Sequence, residues 1–164
     1  MTWKARKERS NEIFENVVWP IVRTYCGDGE IYATDGPQGT ILHLLDAKAG
    51  IDYFQQLPSG GFTGIAARVE DKGRNYHTFT IRYPSEWTGR TRDIAALNYY
   101  PHWWVHAYTD GDKFQSAAII RTQELFDYAH KLHKIMKQHA GQKFYSIPWE
   151  EFPSAIVIGE SAPL

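Results

Sequence analysis

The segment from Gly64 to Glu70 constrains the fold most, because every second side chain in it is apolar. Successive side chains of a β-strand point to opposite faces of the sheet. One face of this segment is therefore apolar and should pack inward: Ile65, Ala67 and Val69. Arg68 and Glu70 then lie side by side on the opposite face. We predict a strand that places two charged groups next to each other on a sheet surface.

The neighbouring segments indicate that this strand belongs to a mostly antiparallel sheet. Turn-forming residues separate several short runs that are rich in β-branched and aromatic side chains. Ile31–Ala33 and Ile51–Gln55 precede the segment, and 77–83 should follow it in an antiparallel meander. The aromatic run 103–108 and the apolar run 116–121 flank the turn Asp110-Gly111-Asp112, which predicts a hairpin.

Helical periodicity occurs near both ends of the chain. Apolar residues recur at helical spacing from about Trp3 to Tyr25, with an interruption at Pro20. A second helix is predicted from Thr122, as its N-cap, to about His139, with Gly141 just beyond its end. The fold class is therefore α/β (α+β), with a central mixed, mostly antiparallel sheet flanked by an N-terminal helix and a long C-terminal helix.

Length, charge and cysteine content narrow the classes of protein. The 164 residues are enough for one core, so we expect a single domain over 1–164. The net charge of -1 gives no global attraction for nucleic acid, so any basic surface must be local. Cys26 is the only cysteine, which excludes an internal disulfide and a multi-cysteine zinc site. No apolar run reaches membrane-spanning length, so we expect a cytoplasmic protein without a membrane partner.

One group of residues in the sequence could form a reactive site. Asp52 lies on the strand before Arg68 and Glu70, so the three side chains could meet on one sheet face. Two carboxylates can hold a hard divalent ion, while a neighbouring cation stabilises developing negative charge. The same three residues could equally form an ordinary cross-strand salt bridge.

The order of these features resembles the PD-(D/E)XK nuclease superfamily. A helix with a Glu, then Gly50-Ile51-Asp52, then a hairpin into Ala66-Ala67-Arg68-Val69-Glu70 carries the resemblance, which spans roughly residues 5–126. It implies a restriction-endonuclease-like core over about 5–140, followed by a short C-terminal extension. It also implies Mg²⁺ (or Mn²⁺) and hydrolysis of phosphodiester bonds in DNA or RNA.

The resemblance also implies roles for individual residues. Asp52 takes the place of the superfamily's Asp, and Arg68 takes the place of its Lys. Ala66 stands where the superfamily has a second acid, so Glu70 would serve as a migrated metal ligand. Glu15 would supply the carboxylate that many members add from the first helix; alternatively, it belongs to a solvated acidic flank.

Other candidates surround this site in the sequence. Asp46 would be a further metal ligand or, alternatively, the residue that binds the backbone of the turn before Asp52. Four basic residues are expected to contact nucleic acid: Lys48, Arg82, Arg90 and Arg92. Arg82 lies on a polar strand face with Thr78 and Thr80, which would extend the Arg68 surface into a groove.

The aromatic residues allow two further interpretations. Trp103 and Trp104, with His102 and His106, could form a base-stacking surface or a metal site, but aromatic strands more commonly fill a core. If Ala66 marks a dead site, the protein would be a catalytically inactive nucleic-acid-binding module. Alternatively, the excess of Trp and Tyr would serve a protein-interaction factor, from a phage or mobile element, that binds a protein partner or forms a homodimer.

Overall fold

The computed structural model of the protein describes residues 1–35, 40–41, 51–82, 101–131, 136–139 and 142–161. The chain begins with a helical segment, whose N-terminus is capped by Thr2. The Thr2 side-chain oxygen accepts a hydrogen bond from the Ala5 amide at 3.1 Å. Four helical stretches follow in succession: α1 (Trp3–Ile13), a π-helical turn (Phe14–Val18), α2 (Trp19–Val22) and a 3-10 turn (Arg23–Cys26).

The interruption at Pro20 changes the helix without ending it. Pro20 lies in the first turn of α2. Proline has no N–H with which to bond the carbonyl four residues earlier, and the wider π-helical turn precedes it. The segment ends at Gly27, whose φ of 90° lies in the left-handed region that favours glycine. The predicted N-terminal helix is confirmed.

Six strands form the larger sheet in the order β1-β2-β3-β5-β6-β9. Its strands are β1 (Ile31–Ala33), β2 (Tyr53–Gln56), β3 (Phe62–Glu70), β5 (Trp103–Asp110), β6 (Lys113–Arg121) and β9 (Ile156–Gly159). Neighbours pair antiparallel except β3 and β5, which are parallel. The predicted mixed, mostly antiparallel sheet is confirmed, and so are the β2–β3 pair and the β5–β6 hairpin.

The larger sheet packs on a different layer at each face. On its inner face, side chains of the N-terminal helical segment, including Phe14 and Val18, form a core with Ile65 of β3. Ala67 and Val69 are partly buried against the same core, so the predicted inward face of β3 is confirmed. On its outer face, β5 and β6 pack against a second core, to which they contribute buried residues such as Tyr108 and Ile120.

A second sheet and a helix supply that second core. The sheet has the order β4-β8-β7, with β4 (Thr78–Arg82), β7 (Met136–His139) and β8 (Gln142–Pro148). The helix α3 (Thr122–Lys131) follows β6 directly. The predicted meander is wrong at β4, because β5 occupies the edge of β3 and β4 pairs with β8 instead. No helix in the described ranges is long and apolar enough to cross a membrane.

The predicted long C-terminal helix is wrong. α3 has 10 residues and ends at Lys131, whereas Met136–His139, which we assigned to the same helix, form β7. The buried residues of α3 are Leu125, Phe126 and Ala129. Its apolar stripe is therefore complete within three turns, and β7 obtains its backbone hydrogen bonds from β8 in an antiparallel ladder.

The structure describes only one of the two predicted ends of that helix, the N-terminal end at Thr122. Thr122 is the first residue of α3, and its buried hydroxyl has no hydrogen-bond partner in the part of the chain that the structure describes. The side-chain cap that we predicted for Thr122 is therefore not seen there. Gly141 lies outside the described residues.

Candidate functional site

Arg68, Glu70 and His106 form a charged cluster on the outer face of the larger sheet. The parallel register of β3 and β5 places Arg68 opposite His106. Glu70 Oε1 lies 3.7 Å from Arg68 Nε and 3.3 Å from His106 Nε2. The Arg68 side chain is about half exposed, at 51%, whereas that of His106 is fully buried. The cluster therefore runs from solvent into the second core.

The protonation states of the cluster follow from its burial and its charges. Burial lowers the pKa of His106, and Arg68 acts in the same direction, while Glu70 opposes them. Burial alone would raise the pKa of Glu70, but its interactions with His106 and Arg68 outweigh burial, so that pKa lies below its ordinary value. Near neutral pH, Glu70 is therefore ionised and His106 is neutral.

Asp52 closes the end of the β2–β3 ladder. Its backbone N–H donates to the Ile65 carbonyl at 2.9 Å, and its Oδ2 accepts from the Ala67 N–H at 2.8 Å. The carboxylate thus takes a place in the ladder that a backbone carbonyl would otherwise occupy. It lies beside Ala66, where the superfamily has its second acid, and Arg68 is the next residue along the same face of β3.

The structure separates Asp52 from Glu70. Asp52 lies level with Ala66, so Glu70 is four residues further along β3, or about 13 Å at about 3.3 Å per residue. The two carboxylates also lie at opposite edges of β3, because Asp52 is on the β2 side and Glu70 contacts His106 on β5. Of the predicted catalytic residues, Arg68 and Glu70 therefore come together, and Asp52 stands apart.

A second group of acidic residues, Glu15, Asp35 and Asp52, acts electrostatically on the Tyr53 hydroxyl near the start of β2. Burial raises the pKa of Tyr53, and the negative charges of Glu15, Asp52 and Asp35 raise it further. Burial also raises the pKa of Glu15, Asp35 adds to that shift, and the interaction with the Tyr53 hydroxyl opposes it. The predicted residues Glu15 and Asp52 thus act electrostatically on the same hydroxyl.

Asp35 is a member of this acidic group that the sequence reasoning missed. Its carboxylate lies 3.0 Å from Lys7 Nζ and accepts a hydrogen bond from Asn11 Nδ2 at 2.6 Å. Both contacts come from α1, so Asp35 ties the strand end to the helix. The glycine-rich, acidic segment that contains it gave no periodic signal to single it out.

The described residues do not fit a resident Mg²⁺ or Mn²⁺. Across the described ranges, no group of three His, Cys, Asp or Glu residues is placed to hold a metal ion. Of the predicted ligands, Glu70 is engaged with Arg68 and His106, Asp52 binds the Ala67 amide, and Asp46 lies outside the described residues. No reaction step through a metal ion follows from this geometry.

Of the four residues predicted to contact nucleic acid, only Arg82 lies within the described residues. Arg82 ends β4, where its backbone is level with Phe144 of β8, so it belongs to the second sheet and does not continue the face of β3. Thr78, at the other end of β4, binds the Tyr108 hydroxyl, with 3.1 Å between the two hydroxyl oxygens. Lys48, Arg90 and Arg92 lie outside the described residues.

The aromatic run on β5 fills the two cores. Trp103 packs against the core under α1, and Trp104 against the second core, where it contacts Phe126 edge-on at 5.7 Å. Tyr108 is fully buried and stacks on His106 with their ring centroids 5.1 Å apart. The prediction of core packing is confirmed, so the base-stacking surface that we considered at Trp103 and Trp104 is not there.

Exposed aromatic side chains lie instead on the outer face of β1, β2 and β3. Tyr32 and Phe62 are exposed, and Phe54 lies partly buried beside them; their positions follow from the alternation that also places Arg68 on that face. The sequence showed the alternation within each strand, but it did not show which strands pair.

No protein-family model and no curated protein matches the chain.

Proposed function

We propose that the protein binds nucleic acid through the outer face of β3, with Arg68 as a contact to the phosphate backbone. The observation that carries the proposal is the half-exposed Arg68 guanidinium, which Glu70 holds through Nε. A guanidinium presents a planar set of donors that matches phosphate oxygens, and an orienting partner reduces the entropy lost on binding. The proposal extends the nucleic-acid partner that the sequence predicted and requires no catalysis.

Two features of the cluster support this role for Arg68. Glu70 Oε1 also lies 3.3 Å from Nε2 of the buried His106, so the carboxylate that pairs with the arginine is packed against the sheet rather than free at the surface. The interaction is also local, which is compatible with a protein whose net charge is -1. A phosphate contact of this kind contributes affinity and positioning without reading sequence.

The test is a fluorescence anisotropy titration with labelled DNA and RNA oligonucleotides at several salt concentrations. Replacing Arg68→Ala should weaken binding uniformly across sequences and reduce the salt slope by about 1. The matched control is Arg6→Ala, which removes an exposed arginine from α1, on the other side of the sheet. If wild type shows no salt-dependent binding, or if both variants behave alike, the proposal fails.

A second candidate is the metal-assisted nuclease that the resemblance implies. It is supported by the position of two residues that carry the resemblance: Asp52 lies level with Ala66, and Arg68 follows two residues further along β3. The test is cleavage of plasmid DNA and of RNA with Mg²⁺ or Mn²⁺. Asp52→Asn keeps a side-chain acceptor for the Ala67 amide and removes the charge, so equal cleavage by wild type and variant would reject this candidate.

A further inference from the structure

The outer face of the larger sheet carries an aromatic surface next to Arg68, formed by Tyr32, Phe54 and Phe62. Tyr32 is level with Phe54, and Phe54 is level with Gly64 of β3. Phe62 lies two residues before Gly64, so it points to the same face. The rings of Phe54 and Phe62 meet edge-on, with their centroids 6.4 Å apart. The three side chains therefore form one continuous patch, which we call the aromatic surface.

The aromatic surface is open to solvent. Phe62 is 61% exposed and Tyr32 is 51% exposed, although both lie on sheet strands whose inner faces pack toward a core. The buried sheet residues of the second core come from the other end of the larger sheet, β5 and β6, and from the second sheet. The second core therefore covers β5 and β6 but leaves Tyr32 and Phe62 accessible to solvent.

The aromatic surface and the cation of the proposed site, Arg68, lie on the same face of the sheet. Phe62, Gly64, Ala66 and Arg68 are alternate residues of β3, so Arg68 lies six positions after Phe62. At about 3.3 Å per residue, the path is about 20 Å long. Between them, the Ile51 side chain covers Gly64, and Ala66 is buried, so the rings and the cation are separate points on one face. Exposed rings and a cation at that spacing are complementary to a chain several nucleotides long that presents flat bases and negative phosphates.

We propose that the aromatic surface stacks unpaired bases, so that the ligand is single-stranded DNA or RNA. This inference rests on the proposed function. Bases in a duplex are already stacked on one another, whereas unpaired bases have free faces that can stack on an aromatic ring. Protein sheets that bind single-stranded nucleic acid combine such rings with positive groups that contact the phosphate backbone of the ligand. In this protein Arg68 would supply that positive group.

The experiment compares a 12-nucleotide oligo(dT) and an oligo(U) with a 12-base-pair duplex, by anisotropy with purified full-length protein. Wild type should bind the single strands more tightly than the duplex. Phe62→Leu keeps an apolar side chain but removes the ring, and it should weaken single-strand binding by about 5- to 150-fold. Phe62→Tyr keeps a ring and should bind like wild type. Tyr32→Leu provides an independent test at β1.

The possible outcomes separate this inference from the proposed function. If single strands and duplex bind equally, and Phe62→Leu has no effect while Arg68→Ala still weakens binding, base stacking is rejected and the phosphate contact stands. If no nucleic acid binds, both fail. Dimerisation that Phe62→Leu abolishes, without any binding of nucleic acid, would identify the aromatic surface as a contact between two copies of the chain.

Discussion

Replacing His106→Gln should remove part of the acid sensitivity of the fold. His106 is fully buried, and its pKa in the folded protein lies below its ordinary value of 6.5 because burial disfavours the charged imidazolium. Below pH 6.5 the unfolded chain therefore binds a proton that the folded chain does not bind. The free energy of unfolding therefore falls as the pH falls below 6.5.

The size of this effect follows from the burial of the ring. Protonation of the unfolded chain at pH 5.5 costs the fold at most about 1.4 kcal/mol relative to pH 7.5, and this limit is reached when the folded chain binds no proton in that interval. Gln carries a side-chain amide that can donate toward Glu70, and it does not titrate. The variant should therefore lose less stability than wild type over the same interval, by up to about 1.4 kcal/mol, whatever its stability at neutral pH.

Urea unfolding at pH 7.5 and pH 5.5, followed by tryptophan fluorescence, measures the difference. The control is His102→Gln, which removes an exposed histidine whose pKa is lowered by burial and by Arg121. That side chain is more accessible, so its contribution should be smaller. If wild type and His106→Gln lose the same stability between the two pH values, the assignment of a neutral, buried His106 is refuted.

Substitutions at three further positions test the packing of the larger sheet and the role of Asp52. Ile119→Ala should lower the free energy of unfolding by about 2–5 kcal/mol in urea, since Ile119 is fully buried in the core under α1. Gly159→Ala should lower the melting temperature, because its φ is 100° and a Cβ would lie 2.3 Å from the Gln115 carbonyl oxygen. Asp52→Ala should cost about 1–3 kcal/mol of unfolding free energy, because the Ala67 N–H loses its acceptor, whereas Asp52→Asn should cost less. Equal losses for the two Asp52 variants would contradict the ladder-closing role.

Local patterns in the sequence predicted the individual strands well. The alternation from Gly64 to Glu70 predicted both the inward face of β3 and the proximity of Arg68 to Glu70, because the period of two is a property of the strand itself. The turn at Gly111 likewise predicted the β5–β6 hairpin, since both strands adjoin it. These features need no information from distant parts of the chain.

Features that depend on residues far apart in the sequence could not be predicted from these local patterns. The parallel pairing of β3 with β5 brings His106 beside Glu70, and neither strand carries a local mark of its partner. Nothing within β4 indicated that it would pair with β8 in a second sheet. Met136–His139 continued a helical pattern in sequence, yet tertiary pairing with β8 outweighed that local preference.

The central claim is that the outer face of β1, β2 and β3 binds single-stranded nucleic acid, and NMR titration tests it most directly. A short oligo(dT) or oligo(U) would be added to ¹⁵N-labelled protein while the backbone amide shifts are followed. We predict the largest changes at the amides of Tyr32, Phe62 and Arg68, and little change along α1, on the opposite side of the sheet. Changes confined to α1, or no changes at millimolar oligonucleotide, would contradict the account.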